Sequence, residues 1–273
     1  FSLLFMKYQG IYFMKKTLIA LAVAASAAVS GSAMAWTANG TGDSVNLGGT
    51  LKPVDVITPW EVKVGAAVND LNADIRKGDT TVDIPVKKAI PVLGIRTVEV
   101  GKAFKGQPGI APQINYGGAV NLDGFKAGLT TVSMEVRDEQ GSVIGGLKAP
   151  FFAGAEASQK NGSNDYKYFL YASKAGNAFF GGLAKSSAGA TNDINTKLNA
   201  IDSEFTANYT TQDVKEYSGT YGNTSFNSTS TTYSAYYGSG IRSGDTIKIT
   251  LNQAAGADGI TWKSSLPITV SYQ

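Results

Sequence analysis

Two pairs of neighbouring carboxylates, Asp138/Glu139 and Asp202/Glu204, are the residues of this sequence that most resemble an acid–base pair. Such a pair can move protons when its surroundings separate the two pKa values. The first pair falls in a predicted turn and the second on a predicted helix, where solvated surface charge is the usual role. The sequence has no histidine and no cysteine, which removes Ser-His-Asp and Cys-His catalysis and most zinc sites. We therefore expect no enzyme, no catalytic residue, no metal and no cofactor.

A run of aromatic side chains between residues 166 and 180 is the second group that could do chemistry. Aromatic faces pack on the apolar side of sugar rings, beside a few polar groups, so this run could form a carbohydrate site. The same side chains could instead be the core of a small subdomain, which is the expected role for most of them. Both interpretations stay open. The run consists of Tyr166, Tyr168, Phe169, Tyr171, Phe179 and Phe180.

The element that follows these aromatics is a predicted helix. Its apolar residues recur at helical spacing, and Thr191, Asn192 or Asp193 could cap its start. A helix and an aromatic cluster between about 151 and 217 predict a small subdomain inserted in a β-rich chain. The spaced apolar residues are Ile194, Leu198, Ile201 and Phe205.

Outside this insertion, short alternating segments separated by Gly- and Pro-containing turns predict a β-sandwich. The fold class is therefore predicted as all-β with a small α-helical insertion. The Ser/Thr/Asn/Tyr-rich stretch from Tyr221 to Gly240 is predicted to be a loop or an edge strand. The predicted strands are Trp60–Val64, Thr81–Val86, Gly94–Val100, Gly109–Tyr116, Thr130–Arg137, Ser142–Lys148 and Thr246–Asn252.

In the last stretch of the sequence the large apolar residues all fall on even positions, with mostly polar residues between them. A period of two places these side chains on one face of a strand, toward a core. Pro267 lies on the other face and cannot donate to a ladder, which is typical of an edge strand. The closing strand of any sandwich would show the same alternation. The residues of this face include Leu266, Ile268, Val270 and Tyr272.

Residues 36–51 also end in an alternating segment. Val45, Leu47, Gly49 and Leu51 share one face, and polar residues or glycine share the other. One interpretation is a strand paired within its own domain. The other is a detached arm that completes the sheet of another subunit, with a defined register because a slip of one residue would turn the polar face inward.

The chain begins with features of an exported protein. From Met14, two lysines, a short apolar run and an A-x-A site ending at Ala35 predict a signal peptide over residues 14–35. The apolar run is shorter than the roughly 20 residues that span a bilayer. Residues 1–13 are expected to be upstream sequence or a misplaced start.

Removing this leader also changes the charge. Three of the 24 basic residues lie in the first 35 positions, which contain no acid, so 21 basic and 21 acidic residues remain. A neutral chain without blocks of like charge gives no reason to expect nucleic-acid binding.

Several short motifs together resemble the FaeG-type major fimbrial subunits of enterotoxigenic Escherichia coli, with ClpG and similar cysteine-free relatives. The resemblance covers almost the whole chain after the leader. It rests on the leader from Met14, the start at Trp36, Val45–Thr50, Trp60–Gly65, Pro112–Ile114, Phe179–Leu183 and the final strand.

This resemblance implies an incomplete immunoglobulin-like β-sandwich that lacks its last strand and is completed by donor-strand exchange. The donor strand (Val45, Leu47, Gly49 and Leu51) would fill the groove of the next identical subunit. The strand with Leu266, Ile268, Val270 and Tyr272 would first pair with a periplasmic chaperone. An outer-membrane usher would then assemble a cell-surface fimbrium. The implied divisions are 1–13 upstream, 14–35 signal peptide, 36–51 donor strand, and 52–273 pilin domain with the insertion at about 151–217.

The resemblance also implies an adhesin, because in that family the major subunit is itself a lectin for galactose-containing host glycans. The family's sugar site has an aromatic residue, an acid and an arginine in order. Tyr171 matches the aromatic, while Ser173 replaces the acid and Gly176 replaces the arginine. Lys174 could supply the positive charge. The alternative is a purely structural pilin whose fibre carries a separate adhesin.

Overall fold

The computed structural model of the chain describes residues 47–51, 57–215 and 217–273. The predictions for residues 1–13, the signal peptide 14–35 and Val45 lie outside these ranges. Residues up to Pro53 form a unit separate from the rest of the chain. In this first unit, residues 47–51 have no regular secondary structure, and Leu47 and Leu51 are 92% and 97% exposed.

The described residues confirm the predicted all-β class, with one short α-helix, α1 (Ile194–Asn199), and 3-10 turns at Leu122–Gly124 and Ser203–Phe205. Within these ranges no helix is long and apolar enough to cross a membrane. The strands are β1 (Trp60–Val64), β2 (Thr81–Pro85), β3 (Ile90–Thr97), β4 (Phe104–Lys105), β5 (Pro112–Asn115), β6 (Leu129–Arg137), β7 (Val143–Lys160), β8 (Tyr166–Leu170), β9 (Tyr217–Gly222), β10 (Thr232–Ile241), β11 (Thr246–Leu251) and β12 (Thr269–Tyr272).

The main sheet is built around the 18-residue strand β7, in the order β1-β3-β10-β7-β11-β2. Along one edge of β7, β10 pairs with residues 152–160 and β11 with residues 145–148. Along its other edge lie β6 and β8. These pairings are antiparallel, whereas β9 runs parallel to β8. β12 and β5 form a second, two-stranded sheet.

The core lies between the main sheet and the β5–β12 sheet, and a period of two decides which residues face it. On β7, Leu147, Phe151 and Ala155 belong to this core, whereas Phe152 belongs to a second cluster on the opposite face. Two open sheets around one apolar core are consistent with an immunoglobulin-like fold.

The second cluster holds α1 and the following 3-10 turn against the outer face of the main sheet. Three glycines lie in register across neighbouring strands there, with Gly238 opposite both Gly94 and Gly154. A Cβ on any of them would collide with Phe205, Leu198 or Ile194. The missing side chains therefore make the trough that receives the helix. All four residues of the predicted helical face are buried: Ile194, Leu198, Ile201 and Phe205.

Several details differ from the sequence predictions. The stretch predicted as a loop or an edge strand contains β10, which is buried along almost its whole length between β3 and β7. β3 spans Ile90–Thr97 rather than the predicted Gly94–Val100. Pro91 is tolerated beside a register shift in the neighbouring strand, and residues 98–100 form a turn. Asp193 is the N-cap of α1 but has a positive φ, and its side chain makes no capping hydrogen bond.

The insertion expected at about 151–217 stays a prediction. β7 passes through residue 151 without a break, so the main sheet continues across that boundary. Tyr168, Phe169 and Phe179 are buried; Tyr168 and Phe179 lie in the main core rather than in a separate subdomain core, and Phe169 lies in the second cluster. Tyr166, Tyr171 and Phe180 are half-buried.

Candidate functional site: an open groove beside the C-terminal strand

The final stretch of the chain presents one apolar face, as its alternation predicts. From Trp262 to Tyr272 the even positions are half-buried and the odd positions are exposed. The apolar side chains on the even positions pack against the main core: Trp262, Leu266, Ile268, Val270 and Tyr272.

Only one backbone edge of this stretch is paired within the part of the chain that the structure describes. Arg137 and Lys263 exchange two backbone hydrogen bonds of 2.9 Å, and β12 pairs with β5 from Thr269 onward. Pro267 packs over Gly117, whose φ is +61° and where a Cβ would lie 2.6 Å from the proline ring. The prediction of an edge strand is therefore consistent with the structure.

Beside the C-terminal stretch lies a groove with a volume of about 990 Å³. Its floor is the inner face of the main sheet, where aliphatic and aromatic side chains of β2, β6, β7, β10 and β11 line the cavity. These side chains include Ile84, Val132, Val136, Leu147, Phe151, Ile241, Ile247 and Ile249.

The other wall of the groove is the segment that follows β1. Residues 65–76 form no strand and are exposed, apart from Gly65, Leu71 and Ile75, which are half-buried. Sequence reasoning missed this wall because the segment has no alternation. Its mixture of small, apolar and Asn/Asp residues, GAAVNDLNADI, gave no clear signal.

The arrangement is that of a sandwich with a gap in its second layer. An unpaired strand edge beside an apolar floor accepts an extended segment, which gains main-chain hydrogen bonds and places alternate side chains in the groove. The donor-strand residues Leu47, Gly49 and Leu51 lie in the separate first unit. Their assignment to a groove stays a prediction.

The four candidate sugar-binding residues belong to one surface loop, residues 171–177. Tyr171 is half-buried and Gly176 has a φ of +84°. Ser173 and Lys174 are exposed, and their backbone N–H groups donate to the side-chain oxygen of Asn177 at 3.1 and 3.2 Å. The structure thus brings the four residues together, although their role in binding stays a prediction.

Two buried amides hold this loop in place, and sequence reasoning missed both. The Gln113 side chain on β5 donates to the Asn177 carbonyl at 3.0 Å and accepts from the Gly176 N–H at 3.0 Å. Gln113 and Asn177 are each 7% exposed. A buried polar pair of this kind fixes a loop because breaking it would leave unsatisfied groups.

Asp138 and Glu139 lie in the turn between β6 and β7, as predicted. Asp202 and Glu204 lie at the 3-10 turn Ser203–Phe205, beyond the end of α1, rather than on the predicted helix. Lys63 contacts both Asp202 and Glu204 at 2.8 Å. Burial alone would raise the pKa of Asp202, but hydrogen bonds from Lys63 and from the Glu204 N–H, with the nearby positive charge, lower it below its ordinary value. In the described ranges no group of three or more acidic, histidine or cysteine residues could hold a metal ion.

The structure thus defines an all-β domain with an open apolar groove beside an unpaired C-terminal edge. The sequence matches a family model described as "Fimbrial, major and minor subunit" over residues 14–273. The chain belongs to this family of fimbrial subunits.

Individual relatives are similar over nearly the whole chain. K88 fimbrial protein AC of Escherichia coli is 33% identical over 286 residues, and K88 fimbrial protein AB is 31% identical over 292 residues. F41 fimbrial protein of Escherichia coli is 28% identical over 284 residues. Each comparison covers 95% of this chain and 100% of the relative. These matches confirm the resemblance to FaeG-type subunits and fit a component of a cell-surface fibre rather than an enzyme.

Proposed function

We propose that this fimbrial subunit polymerises by donor-strand exchange. The arm with Val45, Leu47, Gly49 and Leu51 of one subunit fills the groove of the next identical subunit. The observation that carries this proposal is the open groove, with its apolar floor and the unpaired edge of the C-terminal stretch.

The energetics favour such an exchange. Leu47 and Leu51 are almost fully exposed. Burying one leucine side chain in the groove would stabilise the contact between subunits by about 2 kcal/mol. Main-chain hydrogen bonds to the unpaired edge add to this. The spacing also fits, because both the arm and the C-terminal stretch present one face at every second residue, about 7 Å apart in extended chain.

The same groove explains why export would need a partner. An exposed apolar groove and a free strand edge promote aggregation during folding. A periplasmic chaperone that pairs with the face of Leu266, Ile268, Val270 and Tyr272 covers both. An outer-membrane usher then exchanges the chaperone for the arm of the next subunit, and the fibre reaches the cell surface.

The direct test is to move the donor segment. A chain of residues 52–273 cannot donate, but the same chain with residues 44–51 fused after Gln273 should fold as a stable monomer. The matched control carries Leu47→Asp and Leu51→Asp in the fused segment, and should melt at a lower temperature. If the chain of residues 52–273 still forms fibres by itself, donor-strand exchange is wrong.

We further propose that the 171–177 loop binds galactose-containing host glycans, so that the subunit is also an adhesin. The loop presents Ser173 and Lys174 beside the half-buried ring of Tyr171, on the scaffold of Asn177 and Gln113. A ring face and a few polar groups on a preorganised loop suit a sugar.

The glycan site is tested in the self-complemented monomer. Tyr171→Ala and Lys174→Ala should each abolish binding to galactose-terminated glycans while the melting temperature changes little. Lys88→Ala, at an exposed lysine between β2 and β3, is the control and should bind normally. Unchanged binding in both loop variants would favour the structural pilin whose fibre carries a separate adhesin.

A further inference from the structure

The end of the domain where the chain enters β1 carries an exposed apolar patch. Ile57, Val98 and Val100 are 86%, 46% and 73% exposed. Residues 98–101, here called the valine turn, follow β3 directly, and the Val98 N–H donates to the Pro59 carbonyl at 2.9 Å. The valine turn and Ile57 therefore lie at the root of the N-terminal arm.

A second feature is a cavity of about 520 Å³ where the groove begins. This end cavity is lined by the turn between β6 and β7, the end of β11 and residues 259–261. Val143 and Ile260 are 42% and 41% exposed there. Leu251 and Ile260 line both the end cavity and the groove, so the two are continuous.

Strand register shows that the patch and the end cavity are at opposite ends of the domain. Thr97, next to the valine turn, bonds the carbonyl of Ala235 on β10, which pairs with Ala157 of β7. Val143, at the other end of β7, lines the end cavity. The 14 residue steps between Val143 and Ala157 correspond to roughly 45 Å of extended strand.

We infer that the valine turn and Ile57 of one subunit dock in the end cavity of the next, as a second contact beside the donated strand. This inference rests on the proposed donor-strand exchange. In this inference the donor runs antiparallel to the C-terminal stretch, with Leu51 in register with Ile260. Antiparallel pairing is slightly more stable per residue and is the commoner arrangement.

The short chain between Leu51 and Ile57 then limits where the root of the arm can lie. The six residue steps from Leu51 to Ile57 span at most about 20 Å. With Leu51 at the mouth of the end cavity, Ile57 and the valine turn must lie close to it. Because the patch and the cavity are different surfaces at opposite ends, each subunit contacts the next in the same way and the assembly continues as an open fibre.

Charge does not oppose this contact. The end cavity carries Asp138 and Glu139 on its rim. The only acid of the valine turn, Glu99, pairs with Lys102 at 2.5 Å, so its charge is balanced. The apolar side chains of the turn can therefore approach the acidic rim without a net like-charge repulsion.

The absence of native cysteine allows a clean crosslinking test. Val100→Cys combined with Val143→Cys should produce a ladder of disulfide-linked multimers from purified, oxidised fibres, and reductant should remove it. The two positions are too far apart in one subunit to bridge, since a disulfide requires Cα atoms within about 7 Å. Two further pairs serve as controls: Leu51→Cys with Ile260→Cys for the seated strand, and Val100→Cys with Ser271→Cys for the opposite polarity.

The three cysteine pairs distinguish a failure of the second contact from a failure of strand donation. Ladders from the Val100/Val143 and Leu51/Ile260 pairs support the second contact. A ladder from the Leu51/Ile260 pair alone overturns the second contact and leaves strand donation intact. A ladder from the Val100/Ser271 pair overturns the inferred polarity and with it the docking in the end cavity. Fibres that form without any ladder contradict both the second contact and the proposed exchange.

Discussion

At the scale of single residues, Asp202 shows burial and charge acting in opposite directions. Its side chain is 15% exposed, whereas that of its partner Lys63 is 48% exposed. Burial tends to raise the carboxyl pKa, and the hydrogen bond from Lys63, helped by the Glu204 N–H and nearby positive charge, lowers it from the ordinary 3.8. A group whose pKa falls on folding stabilises the fold whenever it is ionised.

We expect Asp202→Asn to lower the free energy of unfolding at pH 7 by about 0.5–1 kcal/mol, a small value because water screens the half-exposed Lys63. The contribution is present above pH 3.8 and is lost as the pH falls through the lower pKa of the folded state. Chemical denaturation of the self-complemented monomer between pH 7 and pH 2 measures it.

Asp83→Asn is the matched control for this pair. Asp83 lies 3.7 Å from Lys248, and both side chains are more than half exposed, so the change should leave stability at pH 7 almost unaffected. An Asp202→Asn difference that persisted undiminished at pH 2 would contradict the ionic origin of the effect.

At the scale of elements, the helical segment packs on the sheet where three glycines leave out side chains. The trough made by Gly94, Gly238 and Gly154 admits side chains of α1 and the following turn. This also explains why β10 could not be predicted from the sequence. Glycine and serine residues on its outer face look like a loop, but here they are small because a helix covers them.

Gly154→Ala should destabilise the domain by roughly 1–3 kcal/mol, because the new methyl group would collide with the Ile194 side chain. Gly146→Ala on the same strand is the control. A Cβ there has its nearest neighbour at 3.9 Å, so its thermal midpoint should change little. Equal midpoints for the two variants would show that the helix can shift outward without cost.

At the scale of the whole molecule, alternation in the sequence was enough to predict the C-terminal face and the all-β class. Residues such as Leu266 and Tyr272 alternate because one side of their strand meets the core. The groove could not be predicted in the same way. Its floor comes from five strands and its second wall from residues 65–76, and only tertiary packing brings these together.

Hydrogen exchange should report the filling of this groove. In fibres, we expect the amides of Ser264, Leu266 and Ile268 to exchange much more slowly than in unpolymerised subunits, because a seated strand would pair that edge. Amides of β10 are the internal control, since β3 and β7 flank that strand in either state. Equal protection of the C-terminal edge in both forms would mean that the edge is already covered in the subunit.

The pairing of β1 with β3 has a mechanical consequence. In a fibre joined through arms, a pull on the arm reaches the domain at Trp60 and acts along the axis of β1. Five antiparallel residue pairs, from Trp60–Thr97 to Val64–Leu93, hold that strand. Ladder hydrogen bonds lie perpendicular to the strands, so such tension loads them together in shear instead of unzipping them one by one. If the proposed exchange joins the subunits, a surface fibre without a single disulfide resists stretching through the orientation of its strands.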